Sequence, residues 1–223
     1  MTQDDFPFHC FDPQADYKVV ERRLPHWSQT GVVAFITIRT NDSIPKEVLE
    51  LWLRQRDDWL RRHGINPLSA NWRQAVHALE RRQQVEFFRE SSAKWHHHLD
   101  DCHGECVLRQ PELAFIVAKS LRHFDGDRYD LTDFVVMPNH VHVLVAFPDE
   151  DTMLAQCESW KHFTATQINR ALKRRDRFWQ RDGFDHLVRT ADQFEALRRY
   201  VARNPEKAHL SPGEYIHESK KLG

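Results

Sequence analysis

Four cysteines in 223 residues are too few for the disulfide framework of a small secreted scaffold, so Cys10, Cys102, Cys106 and Cys157 are expected as reduced thiols. Long apolar runs are missing as well. No stretch approaches the roughly 18 residues that a membrane span requires, and the opening MTQDDFPFHC holds neither a basic leader nor an apolar core. The expectation is a soluble, cytoplasmic protein with no membrane partner. Net charge is nearly absent too, at -1, which argues against a protein that coats nucleic acid over its whole surface. That balance hides a local excess: from Lys161 to Lys207 there are 12 Lys and Arg against 6 Asp and Glu, a surplus of 6 that leaves -7 for the remainder. Such a face suits a polyanion, and it equally suits a solvated, arginine-rich helix surface.

What is present begins with enough apolar sequence, 40%, to bury one sizeable core and a small accessory subdomain. Val32 to Thr40, VVAFITIRT, is apolar on both faces at its start and predicts a central strand. Roughly Pro45 to Trp95 carries residues at helical spacings (Val48, Trp52, Arg56 and Trp59, then Trp72, Val76, Leu79 and Phe87), with Gly64 to Pro67 between the two series, which predicts an antiparallel helical pair. Pro111 to Phe124 predicts an amphipathic helix that starts on its proline. Met153 to Lys173 predicts a second, with Met153, Cys157, Trp160, Phe163 or Thr164, Ile168 and Leu172 on one side. Phe184 to Arg189 reads as a last strand, and Asp192 to Arg203 as a closing helix that ends before Pro205.

The chemistry-bearing stretch is Asp133 to Phe147, DFVVMPNHVHVLVAF, two apolar strands broken by Pro138-Asn139. His140 and His142 are two apart, so both imidazoles project from one side of the second strand. They are either a pair of metal ligands or two polar positions on a solvated strand face. In the closing helix Tyr200 and Asn204 are four apart and differ by about 40° around the axis, so a phenol and a carboxamide lie one above the other. The alternative is a core tyrosine followed by an asparagine that caps the helix. His96-His97-His98 with Cys102 and Cys106 offers zinc-type donors at a spacing that matches no standard finger, and a polar loop explains it as well.

MPNHVHVL resembles the signature strand of HUH nucleases. The chain is similar in particular to the single-tyrosine transposases of insertion sequences, and among them the REP-associated tyrosine transposases. RRYVARNP resembles the family's terminal tyrosine helix, WKHFTATQIN the helix behind the histidine strand, and FWQ with FDH a further block, over approximately Glu21 to Leu210. Gly183 stands where an aromatic residue is usual, and Glu206 and His209 depart from the pattern after the proline. The helical insertion, about 45 to 108, is absent from compact members. It either recognises DNA or a partner, or adds a packed layer.

The resemblance implies a single α+β domain, a ferredoxin-like antiparallel sheet flanked by helices. It implies Mg2+ or Mn2+ held by His140, His142 and Asn204, and Tyr200 as the nucleophile that leaves a 5' phosphotyrosine on single-stranded DNA cut beside a hairpin. DNA contacts are then expected from Arg22, Arg23, Lys161, Trp179, Arg181 and Arg189, although Leu24 and Trp27 also fit an arm simply packed on the domain. Relatives act as monomers or homodimers. Two rivals remain: a nickase or relaxase sharing the same chemistry, and a domesticated hairpin-binding protein that does not cut.

Overall fold

The sheet is built around two strands whose side chains are buried on both faces. The computed structural model describes residues 8–12, 14–15, 18–21, 25–87, 102–181 and 184–221. Its strands are β1 (Lys18–Glu21), β2 (Pro25–Ser28), β3 (Val33–Arg39), β4 (Asp130–Val136), β5 (His140–Ala146), β6 (Phe184–Leu187) and β7 (Ile216–Ser219). β1 and β2 form a small hairpin, and the rest make one five-stranded sheet in the order β6-β3-β5-β4-β7, antiparallel at every pairing. β5 is buried at all seven positions and β3 at all but Arg39. VVAFITIR and VHVLVA read as near-continuous apolar runs because both faces are covered.

The helices are α1 (Lys46–Arg62), α2 (Trp72–His77), α3 (81–87 within the described residues), α4 (Pro111–Arg122), α5 (Glu150–Ala171) and α6 (Ala191–Lys207). Taken as β3-α4-β4-β5-α5-β6, the chain runs βαββαβ with the ferredoxin-like strand order, and β7 adds an edge beside β4. α4 and α5 cover one face, where Leu113, Val117, Leu121, Met153, Trp160 and Ile168 meet Ile36, Phe134, Val141 and Val143. α6 covers the other, where Phe194 and Val201 meet Val33, Phe35, Val135 and Leu144. Adjacent strand residues serve opposite layers, so every one-residue step along β5 changes core.

Chain contacts divide the molecule into two compact units, 1–41 with 105–223, and 42–104. The second has its own core of Trp59, Leu60, Ile65, Val76 and Phe87. A long antiparallel pair was the expectation there. The structure instead has α1, the short α2 and a further helix from residue 81, the last two separated where 78–80 leave helical geometry.

α6 departs from expectation at its end: it runs through Pro205 to Lys207. The missing N–H falls in the last turn, where Ala208 N–H still reaches the Asn204 carbonyl at 3.1 Å and Leu210 N–H reaches Pro205 at 3.0 Å. Asn204 is therefore an interior helical residue, and the reading of it as a cap is corrected. At the other end Thr190 accepts from Gln193 N–H at 3.0 Å while the Gln193 side chain accepts from Arg189 N–H at 2.7 Å, a variant of the capping box.

One side chain ties α6 to the sheet. Arg198 Nε donates to both carboxylate oxygens of Asp133 on β4, at 3.2 and 3.0 Å, and the guanidinium also donates to Ser219 Oγ at 2.7 Å and the Lys220 carbonyl at 2.8 Å. The Asp133 side chain is 1% exposed. Removing the cation leaves a buried carboxylate unpaired, so Arg198→Ala is expected to cost about 3–5 kcal/mol in denaturant unfolding. Arg109→Ala, which breaks a half-exposed pair with Glu214 at 3.5 Å, is expected to cost less than about 1 kcal/mol.

His217, opposite Val135 in the sheet, has a buried Nε2 with no hydrogen-bond partner among the described residues. Burial lowers its pKa from 6.5, against the pull of Asp133 and Glu218. The unfolded chain then takes up a proton that the folded one refuses. Stability is complete above about pH 6.5 and falls as the pH drops from there toward the lower folded value. His217→Asn should flatten that part of the stability profile, as read from unfolding free energies over the acid range.

Candidate active site

The two histidines lie on the α6 face of β5, and both are fully buried rather than solvated. Ring centroids of His140 and His142 are 4.6 Å apart. Burying an imidazole requires partners for its nitrogens. Each ring has one on its Nδ1 side. His140 Nδ1–H donates to Asn139 Oδ1 at 2.8 Å, and His142 Nδ1 shares a 2.9 Å hydrogen bond with the hydroxyl of Thr37 directly across on β3. Phe35 stacks on His142 at 5.1 Å. With Nδ1 used by the protein, Nε2 is the nitrogen each ring turns toward other chemistry.

α6 brings the second half. The Tyr200 hydroxyl is 3.4 Å from His142 Nε2, its ring centroid 5.3 Å from that of His142 and 6.0 Å from that of Phe35. The Lys207 ammonium sits 4.7 Å from the centre of the phenol ring. Asn204, one turn beyond Tyr200, is fully buried. Phe194 and Val201 force this placement, because their burial turns the same side of α6 toward the sheet.

Two imidazoles and a carboxamide oxygen form a mixed nitrogen and oxygen donor set that a divalent cation accepts. Among the described residues no cluster of three or more His, Cys, Asp or Glu is placed to hold a metal ion, and Asn204 would supply a third donor beside the two histidines. Those three residues fit such an ion by donor chemistry and by sharing the α6 face.

The remaining sequence candidates lie elsewhere. Trp179 is buried in the opposite core, its indole N–H donating to Thr164 Oγ1 at 2.8 Å. Lys161 donates to the Arg181 carbonyl at 2.8 Å and pairs with Glu158 at 3.3 Å. Arg181 and Arg189 are exposed. Arg22, Arg23, Gly183 and His96 to His98 lie outside the described residues. Tyr129 is buried with its hydroxyl on the Leu121 carbonyl at 2.7 Å, and burial raises its pKa above 10.0.

Sequence reasoning missed Thr37, Asn139 and Arg39, which pairs across from His140. The alternation Phe35, Thr37, Arg39 along β3 was the available signal for two of them. Exposed Arg170 lies in the last turn of α5, and exposed Lys173, Arg174, Arg175 and Arg177 follow its end. Their loop borders the histidine end of the sheet: Gln180 N–H donates to the Arg39 carbonyl at 2.9 Å, and Asn41 N–H to Phe178 at 2.8 Å.

No curated protein matches the chain. A solved structure described as "Structure of the REP associates tyrosine transposase bound to a REP hairpin" is similar over 80% of this chain and 69% of that one, with 15% identity and a TM-score of 0.37. The family described as "Transposase IS200 like" matches residues 113–204, a stretch that holds both histidines, Tyr200 and Asn204.

Proposed function

We propose that the protein is a single-tyrosine transposase or endonuclease that cleaves and rejoins single-stranded DNA beside a hairpin. The observation that carries this reading is the 3.4 Å approach of the Tyr200 hydroxyl to His142 Nε2, the nitrogen of that ring left to face the site. A nucleophile and a ligand atom then address one point. His140, His142 and Asn204 would hold a divalent cation, Mg2+ or Mn2+, which would supply Lewis-acid polarisation of the scissile phosphate.

Tyr200 supplies the attacking oxygen. A bond forms between its phenol oxygen and phosphorus, the bond from phosphorus to the 3' oxygen breaks, and the phenol proton is made up on the departing 3' hydroxyl. The 5' phosphotyrosine keeps the bond energy for rejoining. Lys207, over the phenol ring, adds a cation beside the phosphate's position. Arg170, Lys173, Arg175 and Arg177 guide the strand toward His140 by phosphate contacts that carry no sequence information.

Tyr200→Phe removes only the oxygen, so folding and hairpin binding should persist while covalent capture disappears. Wild-type protein should carry a label placed on the 3' side of the break through a denaturing gel, with the adduct on Tyr200 by mass spectrometry. Cutting without an adduct would sink the phosphotyrosine mechanism. A hairpin-binding protein that never cuts gives binding and no product with either protein. His140→Ala and His142→Ala should each lower cleavage at least about 100-fold, the scale seen when one group that stabilises transition-state charge is removed; undiminished cutting would reject the ligand assignment.

Reversing the charge at Lys173, Arg175 and Arg177 together should weaken binding to an oligonucleotide. The slope of log affinity against log salt should become shallower by about 0.7 for each phosphate that the loop no longer neutralises. Anisotropy titrations at several salt concentrations measure both quantities, and an unchanged slope would remove this loop from the strand's path.

A further inference from the structure

We propose that Asn139 is a positioning residue that fixes which nitrogen of His140 carries the proton. A neutral imidazole has one N–H, and the hydrogen bond at one nitrogen decides what the other presents. Asn139 Oδ1 can only accept, so at 2.8 Å it holds the proton on His140 Nδ1 and leaves the lone pair on Nε2. His142 is not constrained in this way. Its Nδ1 meets a hydroxyl, Thr37 Oγ1, which donates or accepts with equal ease. The two histidines are therefore unlike: one is locked into the tautomer that a cation needs, and the other adapts its Nε2 to the Tyr200 hydroxyl or to a cation.

The Asn139 side chain is enclosed and its backbone is pinned. The residue is fully buried, and its backbone carbonyl accepts from Thr40 N–H at 2.8 Å and from Thr40 Oγ1 at 3.1 Å. Met137 N–H closes the turn onto the His140 carbonyl at 2.8 Å. Those bonds are made by the backbone or by Thr40 and Met137, so truncating the Asn139 side chain leaves the turn its main-chain ties. Asn139 thus does more than interrupt two strands.

The inference rests on the reading of His140 as a cation ligand, and its test does not depend on cleavage. Long-range 1H–15N spectra of the metal-free protein labelled at histidine nitrogen report the tautomer of each ring, with His140→Gln assigning the His140 signals. Wild-type His140 is expected as the Nδ1–H form. Asn139→Ala should lose that form, and its affinity for Mn2+ alone, followed by electron paramagnetic resonance, should fall about 10- to 100-fold. Asn139→Asp keeps an acceptor at the same place and should restore both signals when measured above the imidazole titration range.

An Nε2–H tautomer in the wild-type protein overturns the proposal, as does an unchanged tautomer in Asn139→Ala. Should the alanine variant fail to fold, the aspartate variant decides, because loss of the Nδ1–H form there is equally fatal. Wild-type protein that shows the Nδ1–H form but binds no Mn2+ would sink the cation reading of the site and leave the assignment of Asn139 standing.

Discussion

The site exists only while α6 stays seated on the sheet, and the contact between Arg198 and Asp133 sets that seat. Apolar burial of Phe194 and Val201 presses the helix down but is non-directional. A guanidinium facing a carboxylate that is 1% exposed has a defined direction, and its further bonds to Ser219 and Lys220 extend the clamp from β4 to β7. Arg198 lies two residues before Tyr200. A slide of α6 by a single residue would break the clamp and carry the phenol about 1.5 Å along the axis while turning it about 100° away from His142.

A second constraint comes from β5. Its odd-numbered valines fill the core under α4 and α5, so the histidines have no choice but the α6 face. That face is dry. Each ring finds its Nδ1 partner within the sheet or its adjoining turn, and the geometry is held by strands rather than by loops. The polar site occupies what would otherwise be ordinary core, between Phe35 and Leu144.

Much of this was legible in the sequence because periodicity is local information. HVH states its own alternation, and Tyr200 with Asn204 states its helical spacing. β3, β4, β5, β6, α4 and α5 emerged within a few residues of their bounds, whereas β1, β2 and β7 were not anticipated; α5 starts earlier than expected because Asp149 caps it, accepting from Thr152 N–H at 2.7 Å. What stayed hidden depends on partners far along the chain. Thr37 meets His142 across 105 residues, and Arg198 meets Asp133 across 65. Trp179 looked like a surface aromatic because nothing near it in sequence announces Thr164. Pro205 misled for another reason: the loss of its N–H did not stop the helix, because the turn after it still closes through Ala208 N–H on the Asn204 carbonyl and Leu210 N–H on that of Pro205.

The 105-residue separation of Thr37 and His142 also bears on how the protein is made. β3 leaves the ribosome long before β5 and β6, its two neighbours in the sheet, with the whole of 42–104 synthesised in between. At about 5–20 residues per second, the apolar strand Val33–Arg39 waits on the order of 5–20 s with both of its edges open. During that interval it is the segment of the nascent chain best suited to pair with another copy of itself. Slow elongation therefore lengthens the exposure.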